Sequence, residues 1–359
     1  MRTTTDRIPS LDGARALAIL LVIVDHLDAN RPIWVDFGNL GVRTFFVISG
    51  FLITYLLLQE AQRTNSISLR NFYLRRLLRI VPAYYVFLAI VALLIPTGLV
   101  FATYADLLPA LAYYSNYHSN YYPEGWTLGM TWSLSVEEQF YVLWPTALVL
   151  LGLGRAKGVC IAILLIAPLF RLVSDLHWWP TRYPRFAFEC VSDALATGCL
   201  LAIFRDRLWS WSMYRRAIES GLALLPLGLG LFTIDQFNPI YRDTIGIPLM
   251  NISLAVMLDR CMRFPTQGLA RGLNWGPIAW IGTISYSLYL WQSIFTGLVN
   301  LPPLVKFGGM FTLAAISYYA IERPARLAAR RLQTASPCRI MADSGLANIN
   351  LQLRALPPP

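Results

Sequence analysis

Long apolar stretches alternate along the chain with short polar connections, and this pattern predicts membrane-spanning helices. A hydrocarbon core of about 30 Å requires roughly 20 apolar residues per helix, and about ten stretches approach that length. They lie near residues 12–30, 40–59, 80–98, 130–153, 158–174, 187–204, 216–234, 244–258, 275–298 and 304–321. The sequence therefore predicts an all-α fold, a polytopic transmembrane helical bundle of about ten spans.

Basic residues occupy every second connection between these stretches. The clusters lie at residues 2–7, 63–79, 155–157, 205–216, 260–271 and 323–331. Cytoplasmic loops of membrane proteins carry this excess of arginine and lysine, so both termini are predicted to be cytoplasmic. The first stretch contains His26 and lacks a small-residue cleavage site, and we expect it to be retained as a span.

Two segments depart from this pattern. The apolar run within residues 104–116 is too short to span, and a crossing there would invert the later basic loops; it predicts a re-entrant or interfacial helix. Residues 336–359 show no sustained periodicity and end in three prolines, which predicts a disordered tail. We therefore expect one transmembrane domain over residues 1–335.

Composition agrees with a membrane protein and excludes several other classes. The chain is 56% hydrophobic and only 14% charged, outside the usual range of soluble domains. Its net charge of +10 comes from arginines placed to face anionic lipid, so nucleic-acid binding is not expected. The five cysteines are scattered without paired spacing, which predicts neither a disulfide framework nor a metal site.

Arg15 and His26 lie in the first predicted helix, eleven positions apart. Three helical turns separate them, so their side chains leave nearly the same face about 16 Å apart. Ionisable groups at membrane depth mark functional cavities by default. Alternatively, His26 packs near the outer interface and Arg15 extends its charge to the inner one.

Three further motifs lie in or beside the predicted spans: an arginine cluster, a small-residue notch and a pair of glutamates. Arg75, Arg76 and Arg79 stand at the cytoplasmic mouth of the third span, where they could bind a phosphorylated donor or simply anchor the helix. Ser49 and Gly50 form a small-residue notch, a feature that more often serves close helix packing than ligand binding.

Glu137 and Glu138 lie near the outer end of the fourth span. Adjacent helical residues point about 100° apart, so at most one of the two carboxylates can share a cavity with His26. The other then caps a helix, pairs with an arginine or meets water. A purely structural ion pair is the alternative for both.

Several of these segments, in their order along the chain, resemble the acyltransferase-3 family of membrane O-acyltransferases. The matching segments are residues 11–26, 41–54, 72–85, 131–145, 192–195, 284–291 and 322–324, and the resemblance extends over about residues 8–330. It implies ten spans in the inner (cytoplasmic) membrane and a cytoplasmic acyl-coenzyme A donor, with acetyl-coenzyme A expected. It also implies acylation of a surface carbohydrate such as lipopolysaccharide, exopolysaccharide or peptidoglycan.

Two positions depart from the family pattern. The family usually has Asp where Arg43 stands, and His where Gln292 stands. A glutamine side chain still forms hydrogen bonds but does not titrate, so a proton-shuttle role at Gln292 is in doubt. Because no hydrolase-like domain follows in this sequence, the membrane part is expected to suffice or to work with a separate protein.

The resemblance implies catalytic roles for the first-span pair, which match Arg15 and His26. Histidine is the side chain best matched to removing the proton of an attacking hydroxyl, so His26 is expected to be the general base. Arg15 would stabilise the oxyanion or orient the donor. The remaining expected site residues are Glu138 as a catalytic partner, Arg75, Arg76, Arg79, Ser49 and Gly50 for the donor, and Glu137, Trp132, Ser133 and Tyr286 for the acceptor.

Direct transfer and a route through acyl-His26 both remain open. A transporter or flippase is the rival function, in which buried Arg, Glu and His line a substrate or proton path.

Overall fold

A computed structural model of the chain describes residues 8–27, 36–118, 127–176, 186–224, 228–230, 239–298 and 301–334. Every regular element within these ranges is helical. The predicted disordered tail at 336–359 lies outside the described residues.

The principal helices follow one another in chain order. They are α1 (Leu11–Leu27), α2 (Phe37–Thr64), α3 (Leu69–Leu94), α4 (Tyr104–Leu111), α5 (Thr131–Asp175), α6 (Phe188–Ser210), α7 (Ser212–Ser220), α8 (Ile247–Arg263), α9 (Gly268–Leu273), α10 (Gly276–Thr283), α11 (Ser285–Gly297), α12 (Pro303–Ser317) and α13 (Arg323–Thr334). Short 3₁₀ turns occur at Ile95–Thr97 and Leu222–Leu224, and π-helical turns at Arg242–Gly246 and Tyr318–Glu322.

Five helical segments within the described ranges are long and apolar enough to cross a bilayer. They are Phe37–Thr64, Leu69–Thr97, Thr131–Ser174, Arg242–Arg263 and Pro303–Ala329. An all-helical membrane fold is thus confirmed at this level. The count of ten spans and the cytoplasmic location of both termini stay predictions.

Two differences from the predicted spans have local causes. Gly152 interrupts α5 with φ 71° and ψ 166°, a left-handed conformation that glycine adopts without steric cost, and it separates the apolar runs predicted at 130–153 and 158–174. The span predicted at 216–234 begins inside the polar helix α7, which ends at Gly221 with φ 80°. Glycine in this conformation stops a helix.

The fold divides into two compact units. The first unit comprises Met1–Leu56 and Lys157–Ser285, and the second comprises Leu57–Ala156 and Tyr286–Pro359. In the first unit, glycines allow backbones to touch. A Cβ atom on Gly13 would lie 2.0 Å from the Leu273 carbonyl oxygen, and one on Gly282 would lie 1.7 Å from that of Asp12, so α1 packs tightly against α9 and α10.

In the second unit, tyrosine hydroxyls and amides connect α3, α4 and the beginning of α5. Tyr84 on α3 donates to the carbonyl oxygen of Ala110 on α4 at 2.9 Å. The amides of Asn116 and Gln139 bond to each other in both directions, at 3.1 and 2.9 Å. The segment 104–116, expected to be a short helix, thus contains α4 and is tied to both neighbouring helices. Its re-entrant placement stays a prediction.

Candidate active site

Arg15 and His26 lie along one face of α1. In helical projection the two residues lie about 20° apart. Ile19 and Val22, between them on that face, have exposed fractions of 0% and 1%. The opposite face carries Leu17, which is exposed. Arg15 itself is half-buried, whereas His26, in the last turn, is exposed.

The beginning of α1 is fixed next to Arg15. Ser10 has a positive φ of 67°, donates its backbone N–H to Asn274 Oδ1 at 2.8 Å, and donates its hydroxyl to the Cys261 carbonyl oxygen at 2.9 Å. Together with the glycine contacts of Gly13 and Gly282, these bonds hold α1 in place along its first turns. The register of Arg15 is therefore set by tertiary contacts.

A carboxylate beside His26 contacts the start of the next helix. A Cβ atom on Gly38 would lie 2.6 Å from Asp25 Oδ2. Asp36 caps α2 by accepting the backbone N–H of Asn39 at 2.8 Å. Partial desolvation raises the pKa of the surface residue Asp36 and the Asp25 carboxylate adds to the rise, whereas Asn39 and the charge of Arg43 oppose it.

The Ser49-Gly50 notch lies where α2 meets α6. A Cβ atom on Gly50 would lie 2.0 Å from the Leu195 carbonyl oxygen, and one on Gly198 would lie 2.1 Å from that of Val47. These contacts give Gly50 the packing role that small residues commonly have in membrane helices. A donor-binding role for Ser49 and Gly50 stays a prediction.

A buried polar network surrounds Arg43, and it was not expected from the sequence. Asp193, which is 0% exposed, accepts from Arg43 Nη1 at 3.3 Å and from Arg171 Nη2 at 2.9 Å. Arg43 also donates to Asn39 Oδ1 at 2.7 Å and to Asn251 Oδ1 at 3.3 Å. Only the Ser192-Asp193 segment of the family pattern indicated this position.

Among the arginines predicted to bind the acyl donor, Arg76 has the most polar surroundings in the second unit. Its guanidinium carbon lies 4.9 Å from the centre of the Tyr141 ring, a cation–π contact. Glu137 and Glu138 on α5 lie within its electrostatic range, as does Arg79 one turn further along α3. This arrangement combines two positive and two negative charges on α3 and α5.

Arg75 on α3 pairs with a carboxylate on α2. Its Nη2 atom lies 3.3 Å from Glu60 Oε2, and both side chains are partly exposed. Adjacent helical residues diverge by about 100°, so Arg75 and Arg76 do not share one environment. Arg79 instead lies within electrostatic range of Arg326 on α13.

The two glutamates also differ in their contacts. Glu137 Oε2 accepts the hydroxyl of Tyr141 at 3.1 Å. Glu138 lies within electrostatic range of Arg76 and of a group of tyrosines, Tyr84, Tyr113 and Tyr286. Both carboxylates nevertheless lie within electrostatic range of Arg76. The expectation that at most one of them shares a cavity with His26 stays a prediction. Their catalytic and substrate roles stay predictions.

Tyr113 is a candidate residue that sequence reasoning missed. It has a positive φ of 51°, which is uncommon for a residue with a Cβ atom. Its ring stacks on that of Tyr84 at 4.7 Å, and its buried hydroxyl has no hydrogen-bond partner among the residues that the structure describes. Burial raises the pKa of Tyr113, and the charge of Glu138 raises it further.

The predicted acceptor residues on α5 and α11 are fixed by short-range contacts. Ser133 Oγ lies 2.5 Å from the hydroxyl of Tyr289, and Tyr286 donates to the Ile80 carbonyl oxygen at 3.2 Å. Trp132 is half-buried next to Ser133. Gln292, two turns beyond Tyr286, is fully buried.

The Glu322-Arg323-Pro324 segment forms a second ionic site in this unit. Glu322 ends a π-helical turn, is 1% exposed, and accepts from the Ser287 hydroxyl and from Arg326 Nη2, the latter at 2.7 Å. Such turns occur frequently at functional sites. The described residues contain no group of three or more His, Cys, Asp or Glu side chains that could hold a metal ion.

A family model for acyltransferase domains, acyltransferase 3, matches residues 8–321 of the chain. The chain belongs to the acyltransferase-3 family. The match includes α1 with Arg15 and His26, α3 with its three arginines, and α5 with Glu137 and Glu138.

Curated relatives of this acyltransferase-3 chain are named as O-acetyltransferases. "Putative peptidoglycan O-acetyltransferase YrhL" of Bacillus subtilis (strain 168) is 31% identical, and the aligned region covers 89% of this chain and 55% of YrhL. Peptidoglycan O-acetyltransferase OatA of Listeria monocytogenes is 28% identical over 89% of this chain and 56% of OatA. The chain thus spans little more than half the length of these relatives. No solved structure matches it.

Proposed function

We propose that this acyltransferase-3 chain is an O-acyltransferase of the inner (cytoplasmic) membrane. It transfers an acyl group, in our proposal acetyl from cytoplasmic acetyl-coenzyme A, to a hydroxyl of a carbohydrate. The acceptor class is a surface glycan such as peptidoglycan, exopolysaccharide or lipopolysaccharide. Family membership supports acyl transfer, and the names of YrhL and OatA support acetyl and peptidoglycan as the first candidates.

The observation that carries the proposal is the common face of Arg15 and His26 on α1, which also carries the buried residues Ile19 and Val22. A hydroxyl is a weak nucleophile at neutral pH, and an imidazole can remove its proton as it attacks. In direct transfer, His26 takes the proton of the acceptor hydroxyl, and the hydroxyl oxygen bonds to the thioester carbon. The carbon–sulfur bond then breaks, and the thiolate of coenzyme A receives a proton. Transfer through acyl-His26 remains the alternative order.

Arg15 is proposed to orient the donor or to stabilise the oxyanion. The two positions lie about 16 Å apart along α1, and both side chains lean toward the N-terminus of the helix. With the N-terminus of α1 in the cytoplasm, Arg15 would grip the donor arm at the cytoplasmic end. The thioester would then extend toward His26.

In the second unit, Arg76 and Arg79 are the proposed partners of the donor phosphates, with Arg75 as a further donor residue. Ser49 and Gly50, which belong to the first unit, are also proposed as donor residues. Arginine binds phosphate oxygens in pairs and keeps its charge when partly buried. Glu138 is the proposed catalytic partner in this unit. Glu137, Trp132, Ser133 and Tyr286 are the proposed acceptor residues.

Release of thiol from acetyl-coenzyme A tests the proposal. The full chain in nanodiscs, with purified peptidoglycan or exopolysaccharide fragments, should release coenzyme A and form an O-acetylated glycan. His26→Ala should slow release by about 100-fold or more, the range that general-base catalysis contributes. His118→Ala is the matched control, since His118 lies 3.7 Å from Asp106 in the second unit. It should leave release unchanged.

Two results would contradict the proposal. One is undiminished thiol release in a folded His26→Ala variant. The other is passage of a glycan or proton across the membrane without any thiol release, which is the behaviour of a transporter.

A further inference from the structure

Two hydrogen-bond donors in the Arg43 network have no partner within the described residues. Arg43 uses Nε for Asn39 and Nη1 for Asp193 and Asn251, and none of its hydrogen bonds there involves Nη2. Asn251 is 0% exposed, yet its Nδ2 atom has no partner in the described part of the chain. The Asn251 Nδ2 atom is a buried donor without a partner among these residues, which is rare and costly and points to a missing acceptor.

The orientation of the Asn251 amide is determined by Arg43. A guanidinium group only donates, so the amide atom 3.3 Å from Arg43 Nη1 must be the accepting oxygen. The Asn251 NH₂ group therefore points away from that contact. Arg43 and Asn251 thus each present a donor while touching each other, and a pair of neighbouring donors suits the two oxygens of one anionic group.

The network also contains several charges. One buried carboxylate, Asp193, lies between the two buried guanidinium groups of Arg43 and Arg171. Asp243 pairs with Arg242 at 2.6 Å, and both Asp243 and Asp36 lie within electrostatic range of Arg43. An anion that accepts from the Asn251 NH₂ group would lie beside the guanidinium of Arg43.

The network lies toward the end of the first unit that carries His26. Arg43 is six positions into α2, about 9 Å from its start. Asp36, which caps that start, lies within electrostatic range of both Arg43 and Asp25, the neighbour of His26. An anion bound by Arg43 would therefore be part of a molecule that approaches from the same end as the proposed base.

We propose that Arg43 and Asn251 form an oxyanion site that binds the carboxylate or phosphate of an acidic acceptor sugar. This inference rests on the proposed function, because it assigns the anion to the acceptor. The acceptor of this chain is, in this proposal, a sugar that carries a negative charge.

Binding of matched sugars to the full chain in nanodiscs tests this site without any acyl transfer. The probes are galacturonate, galactose 6-phosphate and neutral galactose, and the readouts are calorimetric affinity and the shift in thermal midpoint. We expect at least one charged sugar to bind ten-fold or more tightly than galactose. Comparison of carboxylate and phosphate shows which oxyanion the site takes.

Asn251→Asp is the decisive variant. Aspartate keeps an accepting oxygen for Arg43 but replaces the open donor by a negative oxygen, so it should remove the preference for charged sugars while the unliganded protein stays folded. Ser253→Ala is the control, because Ser253 is buried on the same helix and bonds only to the Leu249 carbonyl oxygen. It should retain the preference.

The proposal is overturned if the wild-type chain binds charged and neutral sugars equally or binds none of them. It is also overturned if the preference survives Asn251→Asp. Absence of thiol release with any glycan, in a chain that still prefers charged sugars, would instead contradict the proposed function. Binding and transfer are therefore tested by separate measurements.

Discussion

Gly50 on α2 packs directly against the backbone of Leu195 on α6, so a Cβ atom there would lie 2.0 Å from the Leu195 carbonyl oxygen. Gly50→Ala must push the two helices apart, and overpacking of this kind costs about 1–3 kcal/mol. We expect a lower thermal midpoint in detergent, measured by intrinsic tryptophan fluorescence.

Gly158→Ala provides the matched control for this substitution. Gly158 is helical, and an added Cβ would meet no atom within 4 Å. Alanine at such a site stabilises a helix by roughly 0.5–1 kcal/mol. If both variants lose the same stability, close helix packing is not the role of Gly50.

Asp193→Asn should strongly destabilise the first unit. It leaves the buried guanidinium groups of Arg43 and Arg171 without their shared counter-charge, and breaking a buried ion pair costs about 3–5 kcal/mol. The measurement is the midpoint of thermal unfolding in detergent. Glu60→Gln removes the partly exposed ion pair with Arg75 and should cost about 0–1 kcal/mol. Equal losses of stability in the two variants would show that the Asp193 carboxylate does not stabilise its network.

Arg76→Gln should weaken the use of acetyl-coenzyme A more than Arg75→Gln does. Arg76 lies over the Tyr141 ring and near Glu137, whereas Arg75 is turned toward Glu60. We expect the KM for acetyl-coenzyme A to rise about ten-fold for Arg76→Gln, equivalent to about 1.4 kcal/mol. Arg76→Lys keeps the charge but not the planar stacking, so its KM should lie between those of the wild-type chain and Arg76→Gln. A larger effect of Arg75→Gln would reverse the assignment.

Asp36 gives a prediction for pH. Partial desolvation raises its pKa in the folded protein, so the folded state holds this proton to a higher pH than the unfolded chain does. Its contribution to the free energy of unfolding therefore falls as pH rises above the ordinary aspartate value of about 4. Asp36→Asn keeps a capping side chain and removes the titration.

Thermal unfolding of the wild-type chain and of Asp36→Asn is compared from pH 4 to pH 7. The wild-type chain should lose stability relative to Asp36→Asn as pH rises through this interval. A difference that stays constant with pH would contradict the raised pKa. Asp36→Ala, which also loses the cap, should be about 1 kcal/mol less stable than Asp36→Asn.

Local periodicity was sufficient to predict some of the candidate site. Arg15 and His26 lie on one helix, and the helical repeat alone determines their common face. The same repeat explains why Glu137 and Glu138 meet different partners. It also explains the divergence of Arg75 from Arg76, although the cluster was expected to act together.

Tertiary contacts determined the rest. Arg43 meets Asp193 and Asn251 across 150 and 208 positions of sequence, and no local pattern indicates such a pairing. Tyr113 adopts a left-handed conformation without being glycine, so the usual turn signal is missing. The predicted count of ten spans depends on hydropathy alone. Within the described residues, five helices are long and apolar enough to cross a membrane.

The backbone contacts of α1 fix more than its packing. Gly13 and Gly282 leave no room for this helix to slide past α9 and α10, and Gly41 similarly adjoins the Ala18 carbonyl oxygen. The separation between Arg15 and His26 is therefore fixed. If Arg15 holds the donor as proposed, the thioester carbon meets His26 at the same depth for short and long acyl groups, because the acyl chain extends from the side of that carbon opposite coenzyme A.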